Sequence, residues 1–278
     1  MTQPSLDELR KRIDEIDDHI HDLIMERAEV VSNVAAAKGI TNNELPIRPA
    51  READMLRRLK SRHKGPFPFV SLARMWQEMI AAFTQIQNSY SIAVYVDENH
   101  QAIWDMARDQ FGAQTPLTAH GSIRDTLNRV FEGTSGVAVL PKPTEKNSLD
   151  WWTGLLVPNA PKIIGHLPFS GTGSLRGEVE EVFAVADIPL APTGDDCTML
   201  VVETGEQLSR DGLQAYLKAA GLQPFLDTVS VGTASEGWLH LVELDGFIEA
   251  DHPAIEKLEI RDSVMRTHII GYYAKAVL

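Results

Sequence analysis

The longest regular pattern of apolar residues in the chain lies in the stretch from Leu6 to Lys38. This stretch contains neither proline nor glycine, which predicts one unbroken α-helix. Its apolar residues form two rows at heptad spacing, the spacing with which one helix packs along another. The first row is Leu9, Ile16, Leu23, Val30 and Ala37, and the second is Leu6, Ile13, Ile20, then Arg27, then Val34. A cation therefore occupies one position of an otherwise apolar face.

Arg27 is the first candidate for a functional residue. Burying a guanidinium without a partner costs several kcal/mol, so this position is either exposed or holds an anion. Lys38 lies eleven residues further along the chain, which places it about 20° around the helix axis from Arg27. We expect both side chains to reach one anionic ligand between them.

Two later helices carry polar residues on their apolar faces in the same way. Glu52 lies on the face of a predicted helix over Pro49 to His63, and Gln87 continues the face of another over Phe69 to Gln87. The apolar residues of these faces are Met55, Leu56 and Leu59 in the first, and Leu72, Trp76, Met79, Ile80 and Phe83 in the second. Each polar residue alone fits a locally exposed side chain. Together they favour an internal site, because a helical bundle is where such residues converge.

The stretch from Leu6 to Gln87 resembles the all-helical chorismate mutases. The matching features are Arg10, the pair Glu26-Arg27, Lys38 of Ala-Ala-Lys-Gly, the pair Arg51-Glu52 at the start of the second helix, and Gln87 at the end of the third. The family often has an acidic residue where this chain has Arg48, and a small polar residue where it has Phe83. The first of these contacts is expected to be partly main chain, and the second departure removes one hydrogen bond to the substrate.

The resemblance implies a function and a role for each residue. It implies rearrangement of chorismate to prephenate without a cofactor or a metal. Arg10 and Arg27 are expected to bind the two carboxylates of chorismate, and Lys38 and Gln87 to donate to its ether oxygen. Glu52 is expected to accept from the ring hydroxyl, with Arg51 in support. Arg48 and Phe83 complete the expected substrate-binding set.

The position of Arg10 predicts a homodimer with shared active sites. Arg10 precedes Arg27 by seventeen residues, which corresponds to about 25 Å along the axis and roughly 100° around it. One small ligand cannot span that distance, so Arg10 has to come from a second, antiparallel copy in an intertwined helical dimer. The alternative is that Arg10 pairs on the surface with Asp14, one turn further on.

The hydrophobic pattern changes after residue 88 to short apolar runs that alternate with helical segments, which predicts an α/β fold. We therefore predict an α + α/β multidomain chain with a helical domain over residues 1–88, an α/β domain over 91–195 and a third domain over 196–278. The third domain is predicted to have the order strand, helix, two strands, helix, strand. This βαββαβ order resembles a ligand-sensing ACT module.

The middle region is similar to a shortened prephenate dehydratase domain, but two motifs of that enzyme are missing. The Gly-Pro-x-Gly-Thr loop after the first strand is replaced by residues 96–100, and the Thr-Arg-Phe motif by Thr198-Met199-Leu200. The loss of the arginine predicts that the chain lacks dehydratase activity. The amino-acid-sensing motif Glu-Ser-Arg-Pro is also absent near residues 230–233, which leaves open whether the ACT-like module binds a small-molecule effector.

The net charge and the cysteine content limit which partners and which compartment we expect for the chain. The net charge of −13 argues against nucleic acid and anionic membranes as partners. The polar N-terminus and the lone Cys197, read as structural, favour a cytoplasmic protein. The basic residues Arg57, Arg58, Lys60, Arg62 and Lys64 are interpreted as a solvated helix face.

Two other functions stay open at this point. The same helical fold and cations serve isochorismate pyruvate lyases, which eliminate pyruvate from isochorismate. In a non-enzymatic alternative, the helical unit only dimerises an α/β sensor. In that case, apolar residues in place of Arg27 and Lys38 are expected to stabilise the fold.

Overall fold

The structure, a computed structural model, describes residues 4–38, 45–98, 100–147, 149–171, 176, 181–233 and 237–277. Within these ranges the chain forms seven α-helices, one 3₁₀ helix and nine β-strands. No helix in the described part of the chain is both long enough and apolar enough to span a membrane.

Three helices make up the N-terminal part: α1 (Leu6–Lys38), α2 (Pro49–Arg62) and α3 (Phe69–Gln87). The first begins with a capping box, in which the backbone N–H of Ser5 donates to the Glu8 carboxylate at 2.7 Å and the backbone N–H of Glu8 donates to Ser5 Oγ at 3.3 Å. The second begins with Pro49, whose fixed φ suits the first turn of a helix. The predicted bounds of the first and third helices are confirmed.

The rest of the chain forms a single mixed sheet with helices packed against it. Its first part contains β1 (Ile92–Tyr95), α4 (Gln101–Phe111), β2 (Leu117–His120), α5 (Ile123–Phe131), β3 (Val137–Pro141), a 3₁₀ helix (Trp151–Leu156), β4 (Lys162–Leu167) and β5 (Val182–Ala186). Its second part contains β6 (Asp196–Thr204), α6 (Arg210–Ala220), β7 (Pro224–Thr233), β8 (Gly237–Asp245), α7 (Pro253–Glu259) and β9 (Val264–Ala274).

The strand order across the described sheet is β2-β1-β3-β5-β4-β9-β6-β8-β7. The two parts meet where β4 runs parallel to β9, with Ile163 opposite Gly271. A Cβ atom on Gly271 would lie 2.5 Å from the Cβ atom of Ile163, so only glycine allows the two strands to approach this closely. Because the sheet is continuous across residue 195, the boundaries of the second and third domains stay a prediction.

The two faces of β6 pack against different cores. Leu200 and Val202 join a core that includes Leu213 and Leu217 of α6 and Leu258 of α7. The alternate residues Cys197, Met199 and Val201 point to the opposite face, where they pack with Trp152, Phe183 and Tyr273. This alternation is the period of two expected for a strand that is buried on both faces.

Candidate active site

Arg27 lies on the face of α1 that rests on α3. The half-buried residues on this face are Ile24, Arg27, Ala28 and Val31, a spacing of three and four residues that marks one side of a helix. The guanidinium carbon of Arg27 lies 4.5 Å from the centroid of the Phe83 ring, and its Nη2 lies 3.8 Å from Met55 Sδ of α2. Arg27 therefore lies where the three helices meet.

The guanidinium of Arg27 has incomplete polar contacts. Its Nη1 atom is buried and has no hydrogen-bond partner among the described residues. Burial and, second, the nearby charge of Arg51 lower the pKa of Arg27. An aromatic face and a thioether are weak partners for a cation. The site therefore offers a desolvated positive charge that an anion from outside the described chain is able to satisfy.

The two residues predicted to donate to the ether oxygen lie at the ends of α1 and α3. Lys38 is the last residue of α1, but its side chain lies outside the described residues. Gln87 is the last residue of α3, and its Nε2 donates to the backbone oxygen of Phe83 at 3.3 Å. Gln87 therefore lies one turn beyond the ring that contacts Arg27, with a weak internal hydrogen bond as its described contact.

The residues at the start of α2 differ in their described surroundings. Arg51 is exposed and close enough to Arg27 to affect its pKa. Arg48, which precedes the helix, donates from Nη1 to the backbone oxygens of Leu45 and Ile47, each at 2.9 Å. Glu52 lines a small cavity of about 40 Å³ between α2 and the sheet. The single chain thus places Arg51 near Arg27, and places both Arg51 and Glu52 beside cavities that the sheet also lines.

The carboxyl of Glu52 is held in an unfavourable environment for its charge. Loss of water around it raises the pKa of Glu52 from 4.5 to about 7, although the backbone N–H of Arg48 acts in the opposite direction. The charge of Glu52 in turn contributes to the raised pKa of Tyr90, after burial, which is the larger cause. A carboxyl that titrates near neutrality inside a predicted binding site is typical of functional positions.

Arg10 lies far from Arg27 within one chain. Its Nη1 is 3.6 Å from Asp7 Oδ1, and both side chains are mostly exposed. The surface partner of Arg10 is therefore Asp7 rather than the predicted Asp14. The apolar rows of α1 are also uncovered: Leu6, Leu9, Ile13, Ile16, Ile20, Leu23, Val30 and Val34 are between 41% and 63% exposed. A contiguous apolar face of this length is unusual on a monomer.

Met199, which the sequence places at the position of an expected arginine, is buried. Met199 is 1% exposed and belongs to the apolar core on that face of the sheet. Burial raises the pKa of the neighbouring Cys197 thiol to about 11, so this cysteine is not a nucleophile at neutral pH. Within the described residues, no group of three or more His, Cys, Asp or Glu side chains is arranged to hold a metal ion.

One residue of the predicted solvated basic face, Arg57, is half-buried. Arg57 donates from Nη1 and Nη2 to four oxygen atoms that belong to Thr193, Asp195 and Lys275. The interpretation of Arg57 as a solvated side chain without tertiary contacts is therefore wrong. These partners lie 136 to 218 residues away in the sequence, so the local pattern of α2 contains no sign of them. The contacts of Met55 and Phe83 with Arg27 were missed for the same reason.

Comparison with known proteins finds a family match for the N-terminal part of the chain. Residues 9–88 match the sequence model of the family "Chorismate mutase type II". The bifunctional chorismate mutase/prephenate dehydratase of Pseudomonas aeruginosa is 29% identical over 143 residues, which are 50% of this chain and 39% of that protein. The protein of the same name from Aquifex aeolicus is 27% identical over 168 residues, which are 58% of this chain and 46% of that protein.

The chain spans less than half the length of these relatives in the matched regions. A solved structure of prephenate dehydratase in complex with L-Phe from Arthrobacter aurescens aligns with 67% of this chain and 90% of its own, with a TM-score of 0.49 and 13% sequence identity. Similarity at that level carries no functional argument. The family match covers the helices that surround Arg27: the N-terminal part of this chain, residues 9–88, matches the chorismate mutase type II family.

Proposed function

We propose that this chain rearranges chorismate to prephenate at a site built around Arg27. The observation that carries the proposal is the desolvated guanidinium of Arg27, which has a buried Nη1 with no hydrogen-bond partner among the described residues. Chorismate is a dicarboxylate, and one of its carboxylates supplies the missing partner. The ring of Phe83 lies against the guanidinium at 4.5 Å and restricts its orientation before the substrate arrives.

The reaction requires placement rather than a nucleophile. In chorismate an ether bond breaks while a carbon–carbon bond forms, so an enzyme contributes by holding a compact pose and by stabilising charge on the ether oxygen. We assign the carboxylates to Arg27 and to Arg10, and the donors to the ether oxygen to Lys38 and Gln87. Glu52 accepts from the ring hydroxyl with Arg51 in support, and Arg48 and Phe83 complete the substrate-binding set.

A second copy of the chain completes this site in the proposal. The exposed apolar rows of α1 form a face that an antiparallel copy of the same helix covers. Arg10 is exposed at the far end of α1 with only Asp7 as its described ion-pair partner, so it is free to contact a ligand held by the partner's α1. The proposed assembly is a homodimer with two shared sites, in the cytoplasm.

The α/β region has a supporting or sensing role in the proposal. The second part of the sheet has the order β6-α6-β7-β8-α7-β9, which supports an ACT-like module there. We assign the small-molecule effector of the proposal to this module. We propose that the chain lacks prephenate dehydratase activity, because buried Met199 stands where the similar enzyme requires an arginine. The bifunctional names of the relatives make this absence a point for direct measurement.

The test is a single assay of the purified chain with chorismate. We expect the ultraviolet absorbance of chorismate to fall and prephenate to be the product. Release of pyruvate from isochorismate, without prephenate from chorismate, would instead establish the lyase. Inactivity toward both compounds in a folded dimer would favour the non-enzymatic alternative.

Arg27→Met gives the matching test of the site. It removes the charge while keeping a long side chain, so the fold should be retained or stabilised because a desolvated cation is lost. Turnover should fall to background. The control is Arg58→Met, which changes an exposed arginine on α2 and should leave turnover unchanged. Equal turnover in both variants would exclude Arg27 as the anchor of the substrate.

A further inference from the structure

Arg57 joins α2 to the far end of the chain. Its Nη1 donates to the backbone oxygen of Thr193 at 3.1 Å and to Thr193 Oγ1 at 2.7 Å. Its Nη2 donates to the backbone oxygen of Asp195 at 2.7 Å and to that of Lys275 at 3.2 Å. The planar guanidinium thus reaches both the turn before β6 and the residue that follows β9. A fixed fork of donors suits such a set of acceptors better than a single ammonium group does.

The acceptors of Arg57 are also held in place by contacts that do not involve Arg57. The Asp196 carboxylate accepts from the backbone N–H groups of Thr193 at 2.8 Å and Gly194 at 3.0 Å, and from Thr193 Oγ1 at 2.6 Å. The backbone N–H of Lys275 donates to the Asp195 oxygen at 3.0 Å. The turn over residues 193–196 and the end of β9 therefore form one preorganised acceptor surface.

The last described residue extends the same connection into the helical core. Val277 is 4% exposed and packs in a cluster with Leu56 of α2 and Ala73 of α3. Its backbone N–H donates to the Phe169 oxygen at 2.9 Å, which fixes the direction of the chain after β9. Val277 is thus part of the core of the N-terminal helices.

These contacts act on the helix that carries part of the site. Leu56, which packs with Val277, directly follows Met55, the residue in contact with Arg27. Arg51 and Glu52 lie on the same helix, less than two turns before Arg57. An α-helix transmits such a constraint along its length because its backbone hydrogen bonds make it stiff.

We propose that Arg57 and Val277 are positioning residues of the chorismate site, so that the end of β9 sets the placement of α2. This inference rests on the proposed function. It couples the C-terminal βαββαβ part to substrate binding through the contacts of Arg57 and Val277. A displacement of β9 would move the acceptors of Arg57 and, with them, the helix that carries Arg51 and Glu52.

The test compares Arg57→Gln and Val277→Ala with Arg58→Gln, all in the full chain. Arg58 is the exposed neighbour of Arg57, which makes its variant the matched control. In the first two variants we expect KM for chorismate to rise about tenfold with kcat within about twofold, as for the loss of binding contacts that are equal in the ground and transition states. Arg57→Lys should lie between the parent and Arg57→Gln, because one ammonium reaches fewer of the four acceptors.

Hydrogen exchange separates positioning from general loss of stability. Amides of residues 49–62 should exchange about tenfold faster in Arg57→Gln and Val277→Ala, while those of β6 and β8 stay as in the parent. Unchanged exchange in α2, or an equal increase in α2 and in the sheet, would overturn the proposal. If Arg57→Gln does not fold, KM and hydrogen exchange in Arg57→Lys and Val277→Ala test the proposal instead. If the parent itself does not convert chorismate, the proposed function fails, and exchange in α2 still decides whether these contacts position the helix.

Discussion

Replacing Glu52 by glutamine should stabilise the chain at alkaline pH. The carboxyl lies beside a cavity between α2 and the sheet, where loss of water raises its pKa from 4.5 to about 7. Between these values the folded state binds more protons than the unfolded state, so stability falls as the pH rises through this window. The distance from 4.5 to about 7, at about 1.36 kcal/mol for each pH unit, corresponds to about 3 kcal/mol.

The sign and the size of this effect are both measurable. Glutamine does not titrate, so Glu52→Gln should exceed the parent in free energy of unfolding by up to about 3 kcal/mol at pH 8. The difference should shrink below about 1 kcal/mol at pH 5, where Glu52 is protonated in the folded state and most of the cost of burying its charge has disappeared. Urea unfolding at a series of pH values between 4.5 and 8 gives both numbers. Asp54→Asn, at an exposed acid on the same helix, is the matched control for the loss of one acidic group.

The same variant should lose activity while it gains stability. The amide of glutamine is a poorer acceptor for the ring hydroxyl than a carboxylate, so kcat/KM for chorismate should fall. A gain in stability with a loss of activity would identify Glu52 as a residue kept for function. A stability difference that is the same at pH 5 and pH 8 would refute the assignment of a raised pKa. Unchanged kcat/KM would remove Glu52 from the substrate-binding set.

Three further predictions concern the remaining site residues. Lys38→Ala should lower turnover by on the order of a hundred- to a thousandfold in a folded protein, because it removes a charged donor to the ether oxygen; near-parental turnover would exclude that role. Gln87→Glu should shift the pH profile of kcat toward acid, because only the protonated carboxyl donates, and an unchanged profile would exclude Gln87 as a donor. The parent should form no phenylpyruvate from prephenate above the spontaneous rate, because buried Met199 replaces the required arginine; enzymatic formation of phenylpyruvate would contradict this.

The sequence was a good guide to elements with strong periodicity. The first and third helices begin and end where the apolar spacing predicts, since each presents one apolar face over many turns. Strand β2 was not predicted. It consists of the four residues Leu117–His120 at the edge of the sheet, and it is largely exposed, so it lacks the apolar run that marks a buried strand.

The candidate site likewise has some features that the sequence predicts and others that it does not. Arg27 stands out in the sequence because a cation interrupts an apolar row, and this signal is local. Its contacts with Phe83 and Met55 depend on how three helices pack, which no local pattern contains. Arg57 is the clearest example of a contact that the local sequence does not predict. An arginine in a basic run is expected to be solvated, but the fold places backbone oxygens from distant residues next to Arg57.

Mixing two inactive variants tests the central claim, an active site shared between two chains at Arg27. Arg10→Ala and Arg27→Ala should each be inactive alone. After an equal mixture is unfolded and refolded, about half of the dimers should be mixed, and each mixed dimer has one site with both changes and one with neither. We therefore predict recovery of about a quarter of the parental activity. No recovery in a sample that demonstrably contains mixed dimers would contradict the shared site.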